Sequence, residues 1–327
     1  MPDARAFWTV AAGRGEIRPE AVRAPGPGEA LVRTAASGIS RGTETLVFRG
    51  EVPEEQRSTM RAPFQAGGFP FPVKYGYSAV GVVEAGDPDW IGRRVFCLHP
   101  HQDRFVVPAS ALRPIPDMVP DARAVLAANL ETAVNALWDA PVRVGDRLVV
   151  VGGGVIGASI ALLAARHPGA RVGVVEVDPE RAARLRGLEL DVAAPGELAR
   201  DADLVVHASA TAAGLEEALR IAGSEATVLE MSWYGSGTVQ VPLGGAFHDR
   251  RLTLRSSQVG HLPEERRPRW TRAGRLDLAL RLLADPVFDH LLEPPEPFER
   301  LPEVMAELAD ARRPVMCQVI TYREPPG

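Results

Sequence analysis

Six residues constrain this chain more than any others: Gly152-Gly153-Gly154-Val155-Ile156-Gly157. They match G-x-G-x-x-G, a spacing that means little alone and much when a strand precedes it and a helix follows. Leu148–Val151 is a β-branched strand run, and Ala158–Ala165 is an Ala- and Leu-rich helix run. In that context Gly152 permits a tight turn, Gly154 lets the backbone approach a pyrophosphate, and Gly157 allows close helix–strand packing. Val155 and Ile156 belong to the same phosphate-binding turn, at a helix N-terminus suited to anions. The whole apolar stretch from Leu148 to Ala165 is nearly long enough to cross a bilayer. Its central glycines make it a buried strand, turn and helix instead.

The next strand run, Val172–Val177, ends in acidic residues at the distance a dinucleotide site requires. Glu176 stands where a carboxylate accepts hydrogen bonds from adenosine ribose hydroxyls, and Asp178 takes that role if the strand ends two residues later. A carboxylate repels a 2′-phosphate, which favours NAD. Arg181 and Arg184 keep NADP open. Two readings compete: a ligand-free glycine turn in an α/β sheet, and a methyltransferase, which leaves the front of the chain unexplained.

From Asp146 onward strand and helix runs alternate: LVVVGG, a helix from about Gly157, VGVVEVD, a helix from about Pro179, LVVHAS, a helix from about Ala213, and ATVLEMS. That alternation predicts a parallel, doubly wound sheet. The first third differs. Ala30–Ala35, Ala79–Glu84, Arg94–Leu98 and Arg104–Val107 are short strand runs punctuated by Pro and Gly, which predicts a small irregular β-barrel or sandwich. The texture changes near Pro116, where Asp121–Ala140 takes helical spacing. The tail predicts a helix at Leu301–Ala311 and a strand at Val315–Thr321. With 327 residues, two domains are expected, residues 1–118 completed by 287–327, and residues 119–286.

A formal net charge of −5 gives no general attraction to nucleic acid or anionic membranes. Two cysteines, Cys97 and Cys317, make neither a disulfide framework nor a thiolate cluster, and the start of the chain lacks a secretory pattern. The cytoplasm is the expected compartment. Among 37 lysine and arginine residues Lys74 is the only lysine, and an arginine-rich surface leaves one titratable amine to account for.

The order of an irregular β domain, a dinucleotide domain and a returning tail resembles the medium-chain dehydrogenase/reductase superfamily, over essentially the whole chain. The resemblance implies an α/β protein with a GroES-like catalytic barrel and a Rossmann domain. It implies an NAD(P)-dependent oxidoreductase that moves a hydride between nicotinamide and an alcohol or carbonyl. Ser37–Glu44 (SGISRGTE) resembles the stretch carrying the first catalytic zinc ligand, with Ser40 (or Arg41) in place of cysteine. Tyr75–Val83 (YGYSAVGVV) resembles the Gly-His-Glu stretch, with Tyr77 and Ser78 in place of histidine and glutamate. Leu130–Leu137 (LETAVNAL) resembles the third-ligand region, and there Glu131 survives. A catalytic zinc needs three protein ligands, so no metal is expected; His99 and His101 are the sole rescue. The first two motifs are most similar to the branch containing the bacteriochlorophyllide hydroxyethyl dehydrogenases.

Without zinc a side chain must move the hydroxyl proton. Tyr77 is the first candidate, with Lys74 three residues away as the cation that would make it a base. Ser40 and Thr43 are candidates to orient the substrate oxygen or relay its proton. Glu131 either bonds an arginine such as Arg41 or serves as a base whose pKa burial raises. His101 is a weaker base candidate. Trp233 and Tyr234 are placed to line the nicotinamide or substrate pocket. Phe48, Phe64, Phe69 and Phe71 join them in suiting a bulky apolar small-molecule substrate, or pack the barrel. Two alternatives stay open: a zinc-free enoyl- or quinone-type double-bond reductase, and a non-catalytic nucleotide-binding protein. A homodimer or tetramer is expected, with Val228–Val241 as a strand that pairs across subunits.

Overall fold

A computed structural model describes residues 3–310 and 315–322. The chain divides into two compact units, one of Met1–Ala128 and Leu280–Gly327, the other of Asn129–Ala279.

The first unit opens with a hairpin not foreseen in the sequence, β1 (Asp3–Ala11) and β2 (Arg14–Ala21), paired antiparallel. The long β3 (Glu29–Ile39) pairs with β4 (Ala79–Gly86). Behind β4 comes β5 (Arg94–Cys97), and β6 (Arg104–Pro108) also pairs with β3. All these pairings are antiparallel. Alternating side chains along them build one core around Val32, Val83, Val95, Phe105 and Val107. The tail returns as a helix over Leu301–Ala309 and a strand over Gln318–Thr321, which pairs with the end of β3. The helix foreseen to Ala311 therefore stops at Ala309, and Ala311 lies outside the described residues. Phe298, Leu301, Val304, Met305 and Leu308 pack on Phe7, Ile39 and Phe48 in a second core. Phe48 is thus a core side chain and not a ligand contact.

Between β3 and the next strands lies α1 (Arg41–Arg49). Its residues Glu44–Phe48 are all buried, and Gly50 ends it in the left-handed conformation that a glycine C-cap supplies. The stretch foreseen as one helix from Asp121 is broken into a short helix at Asp121–Ala124 and α2 (Ala127–Asp139). Arg123 holds the short helix to the tail through Asp289 and the carbonyls of Leu283 and Ala284.

The second unit carries six strands, β7 (Arg147–Val151), β8 (Arg171–Val175), β9 (Asp191–Ala193), β10 (Ala202–His207), β11 (Ala222–Glu230) and β12 (Thr253–Ser256). Every pairing is parallel, in the order β9-β8-β7-β10-β11-β12. Numbered within the sheet this is 3-2-1-4-5-6, the doubly wound dinucleotide-binding order. Helices α3 (Val155–Ala164), α4 (Pro179–Arg186) and α5 (Ala212–Ile221) make the crossovers. Strand order reverses between β7 and β10, and at that switch point Val151, His207 and Glu230 stand level across three strands. The strand foreseen to run to Val241 ends at Glu230, because the Glu230 carboxylate turns back to accept the Ser232 amide at 2.7 Å. No helix among the described residues is long and apolar enough to cross a membrane.

Candidate active site

The glycine turn follows β7 directly, and its three motif glycines do different work. A Cβ on Gly152 would lie 2.7 Å from the Ser209 amide nitrogen, and one on Gly157 would lie 2.0 Å from the Gly152 carbonyl oxygen. These two are glycines because backbone passes too close for a side chain. A Cβ on Gly154, by contrast, meets nothing within 4 Å. Gly154 is the N-cap of α3, whose first amides have no intrahelical acceptors. The open side of the turn therefore leaves room for a pyrophosphate at a helix N-terminus. Val155 is buried and Ile156 half-buried, so an anion there would meet their amides and not their side chains.

Glu176 follows the last residue of β8. Its Oε2 accepts the Gly153 amide at 2.8 Å, and its Oε1 accepts the Asp178 amide at 2.7 Å and the Arg181 guanidinium at 2.9 Å. Burial works against the charge, yet Arg181 and these amides outweigh it and hold the carboxyl below the usual range. Asp178 is committed elsewhere: as N-cap of α4 its side chain accepts the Arg181 amide at 2.8 Å. Between the two sequence candidates, Glu176 is the one beside the glycine turn.

In the first unit the hydroxyls of Ser40 and Thr43 hydrogen-bond to the phenol of Tyr77. Ser40 stands just before α1 and Thr43 in its first turn. Burial raises the Tyr77 pKa above its ordinary value, and the nearby Glu44 carboxylate raises it further; the two hydroxyls lower it but do not prevail. Tyr77 is therefore a neutral phenol flanked by two hydroxyls. The Lys74 ammonium does not make it a base. It is buried and spent on Glu20 Oε2 at 2.7 Å and Gln102 Oε1 at 2.8 Å. That is a correction: adjacency in sequence put the cation near Tyr77, but in the folded chain Glu20 and Gln102 hold it instead.

The histidines are also accounted for. His101 lies buried between Glu44, 2.8 Å from Nε2, and Ser37, 2.7 Å from Nδ1; Ser37 continues to the Tyr322 hydroxyl at 3.0 Å. It braces α1 through Glu44, whose other oxygen accepts the Ser40 amide at 2.7 Å. His99 donates Nδ1–H to the Pro100 carbonyl and stacks on Phe105 at 3.7 Å. Burial lowers its pKa to about 3. Ser78 hydrogen-bonds the Val125 carbonyl. Among the described residues no group of three His, Cys, Asp or Glu side chains is placed to hold a metal ion.

Glu131 lies in the second unit, on α2. Its partner is Arg275, not Arg41: the guanidinium Nε lies 3.0 Å from Glu131 Oε1. Arg275 also bonds Asn135 and the Val259 carbonyl, and is 1% exposed. Burial raises the Glu131 pKa and the nearby arginines only partly offset it. Sequence reasoning missed Arg275 inside an irregular arginine-rich stretch 144 residues from its partner. It also passed over Glu44, the last residue of the quoted SGISRGTE motif, and His207, the last residue of β10. Tyr234 donates to Glu230 at 3.1 Å, and Trp233 beside it is half-buried.

No protein-family model matches the chain. It is 27% identical to D-guloside 3-dehydrogenase of Escherichia coli over 314 residues, covering 86% of this chain and 89% of that protein. It is 32% identical to 2-desacetyl-2-hydroxyethyl bacteriochlorophyllide A dehydrogenase of Cereibacter sphaeroides over 187 residues, covering 51% of this chain and 54% of that one. A structure described as a short chain alcohol dehydrogenase from Escherichia coli CFT073, solved with NADH, superimposes with a TM-score of 0.77 at 16% identity, covering 98% of this chain and all of that one. The last likeness is one of fold. With the 3-2-1-4-5-6 sheet and the glycine turn, it gives the chain an alcohol dehydrogenase-like fold, and together with the likeness to two named dehydrogenases it marks an NAD(P)-dependent oxidoreductase.

Proposed function

We propose that this protein interconverts an alcohol and a carbonyl compound with NAD as the preferred cofactor and no catalytic metal. The observation that carries the reading is the Tyr77 phenol, held neutral and hydrogen-bonded by Ser40 and Thr43 at positions where the resembled enzymes carry metal ligands. When bound, the nicotinamide gives or takes the hydride. The glycine turn and α3 would hold the pyrophosphate, and Glu176 the adenosine ribose. In the direction of reduction Tyr77 points its O–H at the carbonyl oxygen and gives up its proton as negative charge develops there. Ser40 and Thr43, donating to the phenol oxygen, stabilise the charge left on it. In the direction of oxidation the step runs in reverse: the Tyr77 phenolate, formed by loss of its proton to solvent, takes the alcohol proton while Ser40 and Thr43 donate to its oxygen.

The donor set argues against zinc in this site. Hydroxyls of Ser40 and Tyr77 are poor ligands at neutral pH, and in the second unit Glu131 is ion-paired with the buried Arg275. By their names, the two relatives act on a guloside and on a hydroxyethyl bacteriochlorophyllide. Here Phe69, Tyr75 and Tyr77 stand ring against ring, at 5.7 and 6.0 Å between centroids, and favour a substrate carrying a ring system beside its alcohol.

The test is Tyr77→Phe against wild type on a panel of cyclic alcohols, ketones and enones with NADH or NAD, with metal content measured on the same preparation. A loss of about 10²–10⁴ in kcat with NADH binding kept supports Tyr77 as the acid. Turnover of enones alone moves the chemistry to double-bond reduction. Cofactor binding without turnover of any substrate favours the non-catalytic reading, and stoichiometric zinc would overturn the assignment of Ser40 and Tyr77.

A further inference from the structure

A second buried polar network stands at the switch point, wholly within the second unit. His207, the last residue of β10, is fully buried; its Nδ1 lies 2.7 Å from Glu230 Oε2 and its Nε2 lies 2.7 Å from Ser209 Oγ. Glu230 also accepts the Ser232 amide and the Tyr234 hydroxyl. These donors define a direction. An ionised Glu230 keeps the proton on Nδ1, so Nε2 is left an acceptor and the Ser209 hydroxyl must donate inward to it. Burial disfavours charge on Glu230, but His207 and Ser232 outweigh it and its pKa is lowered, consistent with this arrangement.

With its proton committed, Ser209 Oγ presents only lone pairs outward. One meets Thr211 Oγ1 at 2.9 Å. The Thr211 oxygen also accepts the Gly214 amide at 3.0 Å, and because the Ser209 proton goes to His207 it is the Thr211 O–H that donates between the two hydroxyls. The other lone pair of Ser209, a half-exposed residue, is left for a ligand. Two glycines are spent to keep this geometry. A Cβ on Gly214 would lie 2.1 Å from Ser209 Oγ and 2.8 Å from His207 Nε2, and Gly152 admits the Ser209 backbone on its other side.

Position then decides what the acceptor meets. Glu176 follows β8 and Ser209 follows β10, on opposite flanks of β7 and its glycine turn. A dinucleotide lying across the carboxyl ends of these strands has its pyrophosphate at the turn and its adenosine ribose at Glu176. Its other ribose then falls on the β10 side. We infer that Ser209, set as an acceptor by His207 and Glu230, takes a hydrogen bond from a hydroxyl of the nicotinamide-side ribose. This rests on the cofactor reading above. Ser209 touches the cofactor; His207 and Glu230 are positioning residues. The arrangement favours a neutral sugar hydroxyl over a phosphate, which would bring lone pairs against lone pairs.

The experiment compares binding of ADP, ADP-ribose and NADH to wild type, Ser209→Ala and Glu230→Gln. ADP lacks the second ribose, so it reports an intact turn and Glu176 site. Ser209→Ala is expected to weaken ADP-ribose and NADH by roughly 3- to 10-fold, the scale of one net hydrogen bond, with ADP unchanged. Glu230→Gln is expected to weaken the same two ligands and spare ADP. If Ser209→Ala leaves ADP-ribose unchanged, or weakens ADP equally, the network is structural and the inference falls while the cofactor reading stands. Wild type binding none of the three overturns the cofactor reading and the inference with it.

Discussion

The guanidinium of Arg275 meets the carboxylate of Glu131 at 3.0 Å, and both side chains are almost wholly removed from water. A protein cation thus sits on the one acidic side chain that survives from the resembled metal-ligand set. Removing either member of such a pair leaves the other charged and dry, which costs far more than the pair contributes over a neutral replacement. Arg275→Leu is therefore expected to lower the unfolding free energy by about 3–5 kcal/mol in urea titrations at neutral pH. A loss under about 1 kcal/mol would mean that the pair is solvated or rearranged.

Glu131 also gives a pH dependence of definite sign. Burial holds its pKa above the ordinary value despite Arg275 and Arg272, so the native state binds this proton more tightly than the unfolded chain. Its contribution is complete below the unfolded pKa and declines as pH rises through the native one. Urea midpoints of wild type should fall relative to Glu131→Gln as pH rises above the ordinary glutamate range, about pH 4. A gap that does not change with pH would contradict the assigned shift.

The glycine turn separates stability from binding. In Gly157→Ala the new methyl meets the Gly152 carbonyl, which is backbone and cannot move aside, so a loss of about 1–3 kcal/mol or more is expected in thermal melts. In Gly154→Ala the methyl enters open space at a φ of −67°. Stability should change by less than about 0.5 kcal/mol. NADH affinity should nonetheless drop about tenfold or more, the scale of a lost charge-assisted hydrogen bond. Unchanged NADH binding in Gly154→Ala would place the pyrophosphate elsewhere.

Glu176→Ala should narrow the preference for NADH over NADPH, read by fluorescence titration of both. The substitution removes the carboxylate that repels a 2′-phosphate. It also frees Arg181, whose Nε has no hydrogen-bond partner among the described residues. An unaltered preference would show that specificity lies in other residues.

Because Tyr77 titrates above its ordinary range, its acid form persists where an unperturbed phenol would be half ionised, near pH 10. Reduction by wild type is expected to show no alkaline loss attributable to Tyr77 between about pH 7 and pH 10. A pH–rate profile with a limb near pH 9 that disappears in Tyr77→Phe would mean that a cation does reach the phenol.

Elements whose physics is local can be read from the order of residues alone. The glycine turn after Val151 shows in the G-x-G-x-x-G spacing itself, and the strand and helix runs around it carry their period in the chain. The parallel sheet and the glycine turn were legible for that reason, as was the place of Glu176 just after its strand. The first unit was less so. Helix α1 was overlooked because the SGISRGTE stretch reads as a turn until Glu44 is buried and tied to His101. Only tertiary structure sent Lys74 to Glu20 rather than Tyr77, paired Glu131 with Arg275, and set His207 between Glu230 and Ser209. Each of these is a charge or proton shared between residues that meet through folding. Their energies depend on burial and on partners distant in the chain, which no local spacing records.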